Sequence, residues 1–61
     1  MTYNELVRYI KKQGRQLIAN GSRHDVYINH KTGGKARVLR HGTQEAKTGT
    51  LNAMLTDLGL K

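Results

Sequence analysis

The chain contains no cysteine, and only four of its 61 residues are Asp or Glu. Without cysteine, no disulfide can supplement a small core and thiolate ligation of a metal is excluded. The four acids, Glu5, Asp25, Glu45 and Asp57, are scattered, whereas magnesium-dependent chemistry draws on clustered carboxylates. His24, His30 and His41 fall in separate segments, short of the closely spaced ligand set that zinc requires. No resident metal or cofactor is expected. No apolar run approaches membrane-spanning length. The opening Met1-Thr2-Tyr3-Asn4-Glu5 lacks the basic and apolar regions of a secretory signal. A cytoplasmic protein without a membrane partner is expected. Ser22 has no glycine-rich elbow around it to make it a nucleophile, and reads more simply as a turn residue.

What is abundant is positive charge. Eleven Lys and Arg give a formal net charge of +7. On so small a body this creates a field that attracts polyanions and speeds encounter with them. Nucleic acid is the leading partner, an acidic protein is the alternative, and an anionic membrane surface is the lesser one. Apolar residues make up 36% of the chain, enough for one thin core. Residues 1–61 therefore read as a single domain of marginal stability.

Periodicity predicts two helices around three strands. Thr2-Tyr3-Asn4-Glu5 fits a capping box. Tyr3, Leu6, Val7 and Ile10 follow at i, i+3, i+4 and i+7, and Gly14 supplies a stop, giving a helix over about residues 3 to 13. The runs 15–19, 24–30 and 35–39 read as strands. Asn20-Gly21 is predicted as a hairpin turn and Lys31-Thr32-Gly33-Gly34 as a flexible connector. Thr48-Gly49-Thr50 offers an N-cap to a last helix carrying Leu51, Met54, Leu55 and Leu58 on one stripe, with Gly59 as its stop. The expected fold is α+β, ordered α-β-β-β-α, with a three-stranded antiparallel sheet and both helices on one face. In the second strand Val26 and Ile28 oppose Asp25, Tyr27 and Asn29. If the aliphatic pair faces the core, His24 turns inward with it, unless the start of the strand frays or bulges.

RNA carries its own nucleophile, the 2′-hydroxyl, so its cleavage needs only proton transfer and stabilisation of charge on the phosphate. Histidine suits the first task and nearby Arg or Lys the second. His24 follows Arg23 at the mouth of the hairpin, and Arg40-His41 lies beyond the third strand. On the residues alone, a strand-edge histidine bonded to backbone is the commoner role, and three histidines in a basic domain are ordinary. Lys35, Arg37 and Arg40 could track an RNA backbone or simply form a solvated basic strand. Lys47, at a helix N-terminus, suits either a phosphate or a plain cap. Tyr27 could stack a base on the open face of the sheet, or be a half-buried strand tyrosine. His41 is a better second proton carrier than His30, although both suit turn or surface positions.

Gly21-Ser22-Arg23-His24, leading into Asp25-Val26-Tyr27-Ile28-Asn29, resembles the Gly-Ser-x-His motif of HicA toxins. The opening helix ending at Gly14, the Arg40-His41 pair, and the ending Gly49-Thr50-Leu51 to Leu58-Gly59-Leu60 resemble that family in the same order. The resemblance runs over nearly the whole chain. It implies a fold like the double-stranded RNA-binding domain and a metal-independent endoribonuclease that cleaves mRNA. It also implies a HicB-like antitoxin as partner, covering the active site. The family's catalytic histidine maps onto His24. Many relatives carry His-His or Lys-His where this chain has Arg23-His24, which keeps the positive charge; the loop from Gly42 to Lys47 matches less well. Two other readings remain: a non-catalytic RNA-binding module of the same fold, and a protein-interaction module whose basic face docks an acidic partner.

Overall fold

A computed structural model describes residues 1–61. The first helix, α1 (Tyr3–Lys12), starts where its cap dictates. The Glu5 amide donates to the Thr2 hydroxyl at 3.2 Å, and the Thr2 amide donates to the Glu5 carboxylate at 2.8 Å. The Thr2 backbone N–H first, and the Thr2 hydroxyl second, hold the Glu5 carboxyl below the usual carboxylate range. Two orphan N–H groups of the first turn are thereby satisfied. Tyr3, Leu6 and Ile10 are the buried stripe, and Val7 packs at its margin.

Three strands follow, β1 (Gln16–Asn20), β2 (His24–Asn29) and β3 (Gly34–Leu39), in the order β1-β2-β3 with both pairings antiparallel. The last helix, α2 (Thr48–Asp57), begins slightly earlier than its threonines suggested. Thr48 is already helical and Lys47 is the cap residue, with no side-chain hydrogen bond closing the end. Met54 and Leu58 from this end of the chain join the α1 stripe over Tyr27, Ala36 and Val38. Both helices thus cover one face of the sheet, as the two stripes required. Leu6, Ile10 and Leu58 are fully buried, each contributing about 2 kcal/mol of apolar transfer free energy.

The alternation of β2 resolves in the opposite sense from its hydropathy. Tyr27 is 2% exposed and Asn29 5%, so the Asp25, Tyr27 and Asn29 side faces the helices. Val26 and Ile28 are half-buried on the open side. Tyr27 is therefore a core residue and not a base-stacking platform. Its phenol is held above the ordinary tyrosine range by desolvation, with a smaller contribution from the Asp25 charge. The physical reason is that the inward Asp25 and Asn29 side chains both have partners, Asp25 in Arg40. Asn29 donates from Nδ2 to the Leu58 carbonyl at 3.0 Å and accepts the Lys31 amide at 2.9 Å. A satisfied asparagine can be buried where an unsatisfied one could not.

The segment read as a flexible connector contains a packing constraint. Gly34 opens β3, and a Cβ built on it would lie 2.0 Å from the Asp57 carbonyl oxygen in the last turn of α2. The helix can approach the sheet because that atom is absent. Gly49, in the first turn of α2, has nothing within 4 Å of its would-be Cβ. Gly34→Ala is expected to lower the free energy of urea unfolding by about 2 kcal/mol through overpacking. Gly49→Ala is expected to raise it by about 0.5 kcal/mol through reduced chain entropy in the unfolded state. Equal effects of one sign would refute this assignment.

Candidate functional site

The open face of the sheet is built by alternation. With Tyr27 inward, His24, Val26 and Ile28 project outward, and their partners on β3 are Leu39, Arg37 and Lys35. Cross-strand partners share a face of the sheet. His24 therefore reaches the open side with no irregularity in its own strand. The register shift lies in β1, between Leu17 and Ala19. Arg37 faces Val26, so it is the diagonal neighbour of His24, a spacing of about 7–8 Å in antiparallel pairs. A shallow depression of about 420 Å³ on this side is lined by Ile18, Ala19, Val26, Lys35, Ala36 and Arg37. It is apolar at its floor and cationic at its rim.

The hairpin that carries His24 turns two residues later than Asn20-Gly21. Asn20 still pairs with Asp25, and the Gly21 amide donates to the His24 carbonyl at 2.6 Å. Ser22 and Arg23 form the exposed tip. Gly21 is not among the glycines with positive φ, so backbone conformation does not explain it. Space does: a Cβ at Gly21 would lie 3.0 Å from His24 Cε1 and 3.1 Å from Nε2. The imidazole lies against the bare Cα of Gly21.

Arg40 closes the same end of the sheet. Its amide donates to the Arg23 carbonyl at 3.1 Å. Its guanidinium donates from Nε to Asp25 Oδ1 at 3.0 Å, and a terminal nitrogen lies 2.9 Å from the same oxygen. That terminal nitrogen also donates to the Gly21 carbonyl and sits 3.5 Å from the His24 carbonyl. Arg40 therefore spends part of its donor set inside the protein, unlike Lys35 and Arg37, which are exposed on the open face. This grouping of Arg40, Asp25 and Gly21 was not evident from the sequence. It depends on the strand register, which brings residues 15 positions apart into contact.

The remaining candidates separate. Lys47 belongs to the helical layer, as the cap residue of α2. His30 follows the far end of β2, and its Nε2 lies 2.8 Å from Gln16 Oε1. His41 packs edge-on to Tyr3, with ring centroids 5.0 Å apart, which turns it to the helical side and away from the face that His24 occupies. No three of the His, Asp and Glu side chains gather into a group able to hold a metal ion. No helix is long and apolar enough to cross a membrane.

Comparison with known proteins agrees with this architecture. The family described as the HicA toxin of bacterial toxin–antitoxin systems matches residues 3–60. A chain in a crystal structure of the E. coli HicAB toxin–antitoxin complex superimposes with a TM-score of 0.79 at 35% identity, covering 93% of this chain and 95% of that one. No curated protein matches the sequence. A family match over nearly the full length, together with a close structural match in the same element order, leads to one conclusion: the chain belongs to the HicA toxin family of bacterial toxin–antitoxin systems.

Proposed function

We propose that this HicA-family protein is a metal-independent endoribonuclease that cleaves mRNA, with His24 as the proton carrier. The observation that carries the reading is the placement of His24 on the open face of the sheet, diagonal to Arg37, with Lys35 farther along the same face. In the reaction the 2′-oxygen of one nucleotide bonds to phosphorus as the bond to the 5′-oxygen of the next breaks. A proton leaves the 2′-hydroxyl and another is delivered to the departing 5′-oxygen. His24 performs one of these transfers, and solvent the other. Arg37 offsets the negative charge that grows on the phosphate, a role suited to a planar guanidinium with paired donors.

Arg23 at the hairpin tip and Lys35 on the open face extend a basic surface for the RNA backbone, whereas Lys47, at the head of α2 in the helical layer, stands apart from it. Arg40 lies at the same end of the sheet, with its charge shared with Asp25. The protein acts as the toxin of a pair, neutralised by a HicB-type antitoxin. The open face supports this pairing because it offers apolar as well as basic contacts. Ile18 is 46% and Leu39 39% exposed, flanking the half-buried Val26. A protein that buries these side chains would cover His24 at the same time.

Incubation of the purified protein with RNA in EDTA tests the reading. Wild type is expected to cleave, and His24→Ala to lose about 10²- to 10⁴-fold in rate, the usual worth of a positioned acid or base. Cleavage that vanishes with EDTA, or that survives intact in His24→Ala, would overturn it. Salt-sensitive RNA binding without cleavage would instead identify a non-catalytic RNA-binding module. In the His24→Ala background, Arg37→Gln is expected to weaken binding and reduce the slope of log affinity against log salt by about 1. An unchanged slope would remove Arg37 from the phosphate contacts.

A further inference from the structure

The end of the sheet where β2 begins is held by one side chain. We propose that Arg40 is a positioning residue for His24, acting through the Gly21–His24 turn and Asp25 rather than through a phosphate. The proposal rests on the reading of His24 as the proton carrier. Four contacts of Arg40 converge on the residues that frame the imidazole. The backbone amide holds the Arg23 carbonyl at 3.1 Å. The guanidinium holds the Asp25 carboxylate, next in sequence to His24, at 2.9–3.0 Å. It also binds the Gly21 carbonyl and lies 3.5 Å from that of His24.

These contacts matter because of where the ring rests. The imidazole edge lies over Gly21, with Cε1 and Nε2 at 3.0 and 3.1 Å from the position a Cβ would take. The location of Gly21 thus sets one wall of the ring's seat, and Arg40 sets the location of Gly21. Arginine suits this task because its rigid fork offers five donors, enough to serve a carboxylate and backbone carbonyls together. Lysine would bring the charge without the fork. The turn itself is closed by a single backbone bond, from the Gly21 amide to the His24 carbonyl. A loop held by so little needs an external tie to keep its geometry. Asp25 gives Arg40 a fixed anchor and takes up its charge, so the guanidinium is engaged before any RNA arrives.

The difference between positioning and phosphate binding shows in kinetics. Misplacing a reacting group by about 1 Å can cost on the order of 10²-fold in rate. Arg40→Ala is expected to lower kcat about 10- to 100-fold, with KM within about twofold of wild type. Arg40→Lys is expected to recover little of that loss. In the His24→Ala background, adding Arg40→Ala is expected to cause no further loss, because residues that act as a unit are not additive. The salt dependence of RNA binding measured in that background is expected to stay unchanged.

Gly21→Ala provides a test that leaves every Arg40 contact chemically possible. Its methyl group would meet both the ring and, at 3.0 Å, the His24 carbonyl oxygen, so ring and turn would give by a few tenths of an ångström, lowering kcat about three- to tenfold and shifting the His24 ring signals in NMR spectra. If Arg40→Ala keeps wild-type kcat, raises KM and reduces the salt slope by about 1, Arg40 is a phosphate contact and the proposal fails. It fails also if Arg40→Ala does not fold and Gly21→Ala shows wild-type kcat and unmoved His24 signals. If His24→Ala itself cleaves like wild type, the reading of His24 fails first, a result recognisable without any Arg40 variant.

Discussion

Burial of Tyr27 is the constraint on which the rest of the structure depends. Its side chain joins the core cluster beneath the two helices, and it is the largest side chain of β2. Once Tyr27 points inward, strict alternation sends His24, Val26 and Ile28 outward. On β3 the same register turns Ala36 and Val38 to the core and Lys35, Arg37 and Leu39 to the open side. One buried phenol therefore decides which cations stand beside the histidine. A slip of one residue would bury His24 and expose the core.

The two faces of the sheet carry different duties. The helical side carries several internal bonds. The Leu58 carbonyl accepts from both Arg15 and Asn29, and Gly34 lets the last turn of α2 approach the strand. The open side is left with a basic and apolar surface that no element of this chain covers. Arg40 joins the two, since it extends from the end of β3 to a carboxylate on the helical side and to the turn beneath the imidazole. The fold is thus bonded internally on one side of the sheet and leaves His24, Arg37 and Lys35 on the other.

Much of this was legible in the sequence. The capping box at Thr2 and Glu5, the two apolar stripes and the order α-β-β-β-α follow from local rules, and local rules operated. The family, too, was legible in Gly21-Ser22-Arg23-His24; that motif puts forward one histidine of three, whose role belongs to the proposal. The facing of β2 was not legible. Val26 and Ile28 look like core, whereas the true inward set includes an aspartate and an asparagine whose partners come from distant segments. The turn was misplaced for a related reason. Asn20-Gly21 has the composition of a tight turn, but Asn20 remains paired with Asp25, and Gly21 is needed for the space above it. The contacts of Arg40 were hidden for the same cause. Its partners are set by register, and register is a property of the whole sheet.

In the proposed reaction RNA's own 2′-hydroxyl is the nucleophile, and His24 moves its proton or that of the leaving group. The most direct measurement is the mass of the RNA fragments released by the purified protein in EDTA. Fragments ending in a 2′,3′-cyclic phosphate and beginning with a 5′-hydroxyl are expected from wild type and not from His24→Ala. Fragments bearing a 3′-hydroxyl and a 5′-phosphate would mean that water attacked the phosphate, and would contradict the claim.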